Sequence, residues 1–341
     1  MVSAPAIELN ELSYSYQQRA ALKSVSLTVQ PQEIFVFLGP NGGGKTTLFR
    51  LLTTLIPCQQ GNAKLLGFDL RTQARQIRER IGVVFQAPSL DKKLTVRENL
   101  RHQAALYGVR GRLLEEREAE LLSQLGLTDR INDRTETLSG GLRRRVEIAK
   151  GLIHHPSLIL LDEPSTGLDP GARADLWHYL MQLRRESGVT VVLTTHLLEE
   201  AERADRIAIL NEGSLVALDT PDALRASVGA DTLMIRTRDP DRLAEAIRRQ
   251  FEIAATIVDG QVRLEVTEGP SWVPRLFQSF PNELEAVTLG KPTLDDVFIA
   301  KTGHRFWQAR SESLAETAAD SRRRSQTTFR VSNRDQGASR G

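Results

Sequence analysis

The stretch Ile34-Phe35-Val36-Phe37-Leu38-Gly39-Pro40-Asn41-Gly42-Gly43-Gly44-Lys45-Thr46 decides the fold. Its first five residues are all apolar, the pattern of a strand buried on both faces, as in a parallel sheet. From Thr46 the apolar positions Leu48, Leu51, Leu52 and Leu55 recur with helical spacing, so the order is strand, glycine loop, helix. The loop fits G-x-x-x-x-G-K-[ST] in the context that this pattern requires. Backbone N–H groups freed of side-chain bulk can close on phosphate oxygens, and the positive end of the helix favours an anion. Lys45 is then placed to reach the outer phosphates and Thr46 to ligate Mg²⁺.

Further buried-strand runs stand at residues 81–85, 158–161, 189–194 and 207–210, with helical patterns between several of them. That alternation predicts an α/β domain around a parallel sheet. Residues 6–30 alternate apolar and polar positions, as short strands with one solvated face do. Residues 95–153 read almost entirely as helix, which predicts a helical subdomain, about residues 90–153, inserted into the core. After Pro221 the texture changes to a βαββαβ pattern, with Asp259-Gly260 as a hairpin turn and Thr293 with Asp296 as a capping box opening a last helix. The expected organisation is a core domain over 6–220, a small α+β domain over 221–302 and a disordered tail over 303–341.

Composition agrees with a folded chain of this kind. At ~150 residues per domain, 341 residues suggest two domains, and 40% hydrophobic with 26% charged residues are ordinary globular values. The single cysteine, Cys58, cannot pair within its own chain and fits a reducing compartment. No stretch approaches the ~18 to 20 uninterrupted apolar residues of a membrane span. Acidic Glu8 and Glu11 without a basic n-region argue against a signal peptide. The net charge of +2 comes from the last 39 residues, where eight arginines face four acids; residues 1–302 carry −2, so no nucleic-acid partner is expected.

Two further motifs bear on chemistry. Asp162 and Glu163 end the apolar run Leu158-Ile159-Leu160-Leu161, at the strand end where ligands of open α/β sheets bind. Asp162 can hold Mg²⁺, and Glu163 can orient or deprotonate an attacking water. Ser139-Gly140-Gly141 at a helix start makes a second anion-binding N-terminus.

With the glycine loop, Leu138-Ser139-Gly140-Gly141 and Asp162-Glu163 in this order, residues 6 to about 220 resemble the ATP-binding-cassette (ABC) ATPases. The resemblance implies an α/β fold, a P-loop NTPase of ABC type with a RecA-like core and antiparallel-β and α-helical subdomains, followed by the small C-terminal α+β domain. It implies that ATP contacts Gly39, Pro40, Asn41, Gly42, Gly43, Gly44, Lys45, Thr46 and Thr47, and that Tyr16 stacks on adenine, unless Tyr16 is only a half-buried strand residue. Gln86 would sense the attacking water and join Thr46 and Asp162 around Mg²⁺, while Glu163 and His196 would serve the γ-phosphate. Asp169 would cross a dimer interface. The other histidines (His102, His154, His155, His178, His304) read as surface or helix residues.

Gly43 stands where the family commonly has alanine, a change expected only to loosen the loop, and Leu142 stands where glutamine is commonest. Arg143-Arg144-Arg145 follow, readable as a solvated helix face. The set resembles the drug-exporter branch of the daunorubicin-resistance type, down to the ending Pro292-Thr293-Leu294-Asp295-Asp296-Val297-Phe298. By that resemblance two copies pair head to tail, and ATP hydrolysis drives export through separate integral-membrane permease subunits from the cytoplasmic face of the membrane, where the chain is peripheral. A soluble ABC ATPase acting in translation or DNA repair is the alternative, and a regulatory nucleotide sensor would be expected to lack Glu163 or His196.

Overall fold

The computed structural model describes residues 4–228, 231–303 and 306. The chain divides into two compact units, the first running to Asp219 and the second beginning at Thr220. The first unit opens with β1 (Ile7–Tyr16), β2 (Arg19–Val29) and β3 (Ile34–Leu38), and the glycine loop leads into α1 (Lys45–Leu52). Next come β4 (Gln60–Leu65), β5 (Phe68–Asp69), α2 (Ala74–Arg78), β6 (Ile81–Val84), and the helices α3 (Val96–Leu106), α4 (Gly111–Gln124) and α5 (Gly140–Leu152). The unit closes with β7 (Leu158–Asp162), α6 (Pro170–Ser187), β8 (Thr190–Thr195), α7 (Leu198–Ala201), β9 (Arg206–Asn211) and β10 (Ser214–Asp219).

A six-stranded sheet in the order β10-β9-β3-β8-β7-β6 forms the centre, parallel except for β10 at its edge. Every residue of β3, β7 and β8 is buried, as their apolar runs demand of a sheet covered on both faces. The register aligns Leu38 with Thr195 and Asp162 with Thr194, so the glycine loop, Asp162-Glu163 and His196 leave the sheet at one edge. The strands bearing the glycine loop and the two carboxylates are not direct neighbours: β8, which leads to His196, lies between them.

A second, antiparallel sheet, β2-β1-β4-β5, shares a core with this one through Leu9, Leu12, Phe35, Phe37, Leu48 and Leu65. Each such side chain contributes about 1.5 to 3 kcal/mol when fully buried. Leu55 does not continue the buried face of α1; it is 57% exposed. The helix stops first, where the Thr53 hydroxyl bonds back to the Phe49 carbonyl and Thr54 turns to a φ of 59°. The helical stretch is likewise more broken than its pattern suggests. After α4 the chain reverses at Gly126 (φ 62°) and crosses to α5 through two single 3₁₀ turns.

The second unit begins with α8 (Pro221–Val228) and continues as β11 (Asp231–Arg236), α9 (Pro240–Phe251), β12 (Ala255–Val258), β13 (Gln261–Val266), α10 (Gly269–Ser279) and β14 (Ala286–Gly290). It ends in α11 (Leu294–Thr302). From β11 to β14 the elements follow βαββαβ, and the antiparallel order β12-β13-β11-β14 is ferredoxin-like. Asp259 and Gly260, both at positive φ, make the two-residue turn between β12 and β13. The core is Leu233, Ile235, Leu243, Ile247, Val262, Leu264 and Leu276. The Thr293–Asp296 capping box opens α11, and buried Arg263 on β13 reaches Asp296 at 2.9 Å, tying that helix to the sheet. The tail read as disordered lies outside the described residues, Gly303 and Phe306 apart. Among the described residues no helix is long and apolar enough to cross a membrane.

Candidate functional site

The glycine loop is built by close approach. A Cβ on Gly39 would stand 2.3 Å from the Leu210 carbonyl oxygen, and Gly44 holds a φ of 102° that side chains resist. Gly43 fits tightly too: a Cβ there would stand 3.0 Å from Leu210 O and 3.1 Å from Pro40 O, so glycine relieves crowding against β9 rather than merely loosening the loop. Gly39 and Pro40 are buried, Asn41, Gly42 and Thr46 are exposed, and Thr47 faces inward.

Lys45 curls into the loop at 4% exposure, donating to Gly39 O (2.6 Å) and Pro40 O (2.9 Å), with Glu163 Oε1 at 3.9 Å. Burial pushes its pKa down to about 8, against the opposing pull of Glu163 and Asp162.

Glu163 is the hub. Gln86 Nε2 donates to its Oε2 (3.3 Å), as does Thr166 Oγ1 (3.1 Å). His196 Nδ1 lies 3.1 Å from the same oxygen, off the line of a hydrogen bond. The backbone here is strained, with Glu163 at a φ of 42°, and is pinned by its N–H pointing at both Thr194 O (3.2 Å) and Thr194 Oγ1 (3.0 Å). That same hydroxyl donates to Asp162 Oδ1 at 2.6 Å.

The two carboxylates are driven apart electrostatically. Burial, reinforced by the charge of Glu163, raises the pKa of Asp162 despite the Thr194 hydrogen bond. Burial is also the largest influence on Glu163, but His196, Lys45 and Thr166 together outweigh it and hold this carboxyl below the usual range. Glu163 is therefore ionised at neutral pH.

Lys45, Gln86, Asp162, Glu163 and His196 are thus gathered at the C-terminal edge of the sheet. Tyr16 stands at the β1–β2 hairpin, 40% exposed and edge-on to Tyr14 at 4.9 Å. Ser139 caps α5 by accepting from Leu142 N (3.3 Å), and Asp169 caps α6 by accepting from Ala172 N (2.9 Å). Among the described residues, no hydrogen bond or ion pair joins Ser139, Gly140, Gly141 or Asp169 to the Lys45–Glu163 cluster.

Several participants escaped the sequence reading. Thr194 and Thr195 were visible as polar residues ending an apolar strand. Thr195 Oγ1 donates to buried Glu200 (2.6 Å) and accepts from Leu197 N (3.0 Å), anchoring the backbone on both sides of His196. The arginine run is not a uniformly solvated face, because Arg144 is only 8% exposed. His154 is not an ordinary surface residue either. It stacks on Tyr107 at 3.8 Å with Nε2 3.0 Å from Ile81 O, and burial pushes its pKa down to about 4.

A glycine loop with a buried lysine, on a parallel sheet with a helical insertion, defines a P-loop nucleotide-binding protein. The family model described as ABC transporter matches residues 22–166. The daunorubicin resistance ATP-binding protein DrrA2 of Streptomyces coeruleorubidus is 36% identical over 91% of this chain and 99% of its own length. The Nod factor export ATP-binding protein I of Rhizobium etli is 36% identical over 88% of this chain and 94% of its own. Among solved structures, an ATP-binding subunit of an ABC transporter shares 30% identity at a TM-score of 0.60, covering 66% of this chain and 93% of its own. A dimeric ATP-binding cassette in a post-hydrolysis state with ADP and phosphate shares 28% identity at a TM-score of 0.56, covering 63% of this chain and 98% of its own. The chain belongs to the ABC transporter family, as one of its ATPases.

Proposed function

We propose that the chain is the ATP-binding and ATP-hydrolysing subunit of an exporter, peripheral at the cytoplasmic face of the membrane and coupled to separate permease subunits that move a drug, antibiotic, lipid or glycan. The gathering of Lys45, Gln86, Thr166 and His196 around one ionised carboxylate, Glu163, carries this reading. The names of the relatives, which concern drug resistance and Nod factor export, support the transport role. An ATPase assay with and without membranes containing the permease tests it. ATPase activity that such membranes never alter would contradict coupling.

Lys45 gives up the Gly39 and Pro40 carbonyls to the phosphates, and the freed loop N–H groups of residues 39–46 complete the cradle. Glu163 orients the attacking water, helped by Gln86, and His196 serves the γ-phosphate. Oxygen donors Thr46, Gln86 and Asp162 suit a hard cation and would hold Mg²⁺. Bound there with the nucleotide, it would neutralise phosphate charge. Ser139 to Gly141, with Ser139 and Gly140 exposed and none of the three bonded to this cluster, would complete the site of a second copy head to tail, with Asp169 at the interface.

Two expectations follow from single side chains. Tyr16→Ala should weaken ATP binding with little change in kcat, since stacking on a base is worth about 1 to 3 kcal/mol and acts equally on ground and transition states. An unchanged KM would leave Tyr16 a strand residue only. The second concerns pH. Lys45, depressed to about 8, is charged below that pH and neutral above it in the free chain. Phosphates favour its charged form, so binding above about pH 8 takes up a proton. Titrations from about pH 7 to about pH 9.5 should show affinity flat below about 8 and falling up to ~10-fold per unit above it. A flat profile throughout would contradict this.

A further inference from the structure

Arg144 holds a place that its position in an arginine run does not announce. Its Nε donates to Pro164 O (2.8 Å), Nη2 to Asp162 O (3.1 Å), and Nη1 to both Phe85 O (2.7 Å) and Glu147 Oε2 (2.7 Å). Asp162 and Pro164 flank Glu163, so one guanidinium grips the carbonyls on either side of the residue whose φ is 42°. Phe85 precedes Gln86, whose side chain touches Glu163. The two residues that meet at the water-orienting carboxylate are thus also tied through their backbones. Glu147 and Lys150 extend the grip: Glu147 Oε1 accepts from Ser89 N (2.9 Å) and Lys150 Nζ donates to Ser89 O (2.7 Å). The segment bearing Gln86 is therefore fastened to α5 on either side of that residue, at Phe85 and at Ser89, and α5 is the helix that Ser139 caps.

We infer that Arg144, buttressed by Glu147, is a positioning residue for hydrolysis: it holds Glu163 and Gln86 in mutual register and links them to the helix that starts at Ser139. The inference rests on Glu163 orienting the attacking water. A guanidinium is suited to the task because its planar fork presents several donors in fixed directions, whereas an ammonium is a point charge that cannot span three carbonyls on separate segments. A strained turn persists only where its surroundings over-determine it, and here the Arg144 bonds to Asp162 O and Pro164 O join the Thr194 contacts to the Glu163 N–H in doing so.

The test is ATP binding and steady-state hydrolysis by full-length Arg144→Lys, which keeps the charge opposite Glu147. A second variant, Arg144→Met/Glu147→Leu, removes the buried pair together and so avoids leaving one charge uncompensated. In both, the Kd for ATP should stay within about twofold while kcat falls roughly 10- to 100-fold, the signature of a group felt only in the transition state. Introduced beside Glu163→Gln, Arg144→Lys should cause no further loss, because it acts through the carboxylate already removed. An unchanged kcat, a parallel loss of Kd and kcat, or multiplicative losses in the double variant would each overturn the proposal. If Glu163→Gln alone hydrolyses ATP at the wild-type rate, the reading of the site itself fails. If Glu163→Gln is inactive while Arg144→Lys is not, only the role of Arg144 fails.

Discussion

Glu163→Gln should bind ATP as tightly as the wild type and hydrolyse it at least ~10²-fold more slowly, the usual consequence of losing a group that acts on the reacting atoms. The substitution keeps the shape of the side chain, and the contacts from Gln86, Thr166 and His196 can be re-formed with an amide. It removes the negative charge proposed to face the attacking water. Asp162, held by the Thr194 hydroxyl at 2.6 Å, is untouched, so the oxygen donor proposed for Mg²⁺ remains. Because Glu163 sits below the usual carboxylate range, it stays ionised through mildly acidic pH, and its protonation should limit the wild-type rate only below that range. Radiolabelled ATP measures both quantities on one sample. Wild-type turnover by Glu163→Gln would overturn the assignment of the carboxylate.

Lys45→Met should lose both binding and hydrolysis. The methionine stem refills the space that Lys45 occupies at 4% exposure, so the loop keeps its packing, but the ammonium that faces Gly39 O, Pro40 O and Glu163 is gone. A cation beside the transferring phosphoryl group acts in a partly desolvated site where charge counts for more than in water, and removing one such group commonly costs ~10² to 10³ in rate. Affinity should fall as well, because the lysine is proposed to meet the phosphates in the ground state too. Isothermal titration and a phosphate-release assay would show the two losses together. An unaltered Kd would mean that Lys45 is a structural lysine holding two carbonyls.

The parts of the site that could be read from the sequence are those encoded by contiguous residues. The glycine loop needs its glycines for close approaches at Gly39 and Gly43 and for positive φ at Gly42 and Gly44, and Asp162-Glu163 need only follow a buried strand; short windows carry such patterns. The βαββαβ order of the second unit was legible for the same reason, from alternation, a two-residue turn at Asp259-Gly260 and a capping box at Thr293. What the sequence concealed depends on contacts between distant residues. Nothing local says that β8 separates β3 from β7, that Arg144 rather than Arg143 or Arg145 is buried against Phe85, Asp162 and Pro164, or that His154 stacks beneath Tyr107. Leu55 shows the converse error: it keeps helical spacing but falls beyond the end that Thr53 imposes.

On the proposed head-to-tail pairing, a complete ATP site takes Lys45, Asp162, Glu163 and His196 from one copy and Ser139 to Gly141 from another. Light scattering of purified Glu163→Gln protein, with and without saturating ATP and Mg²⁺, tests this pairing, since a variant that binds but does not turn over should be held in the closed state. The expected result is a monomer without nucleotide, a stable dimer with ATP, and a return to monomer with ADP. A protein that stays monomeric while carrying one bound ATP per chain would contradict it.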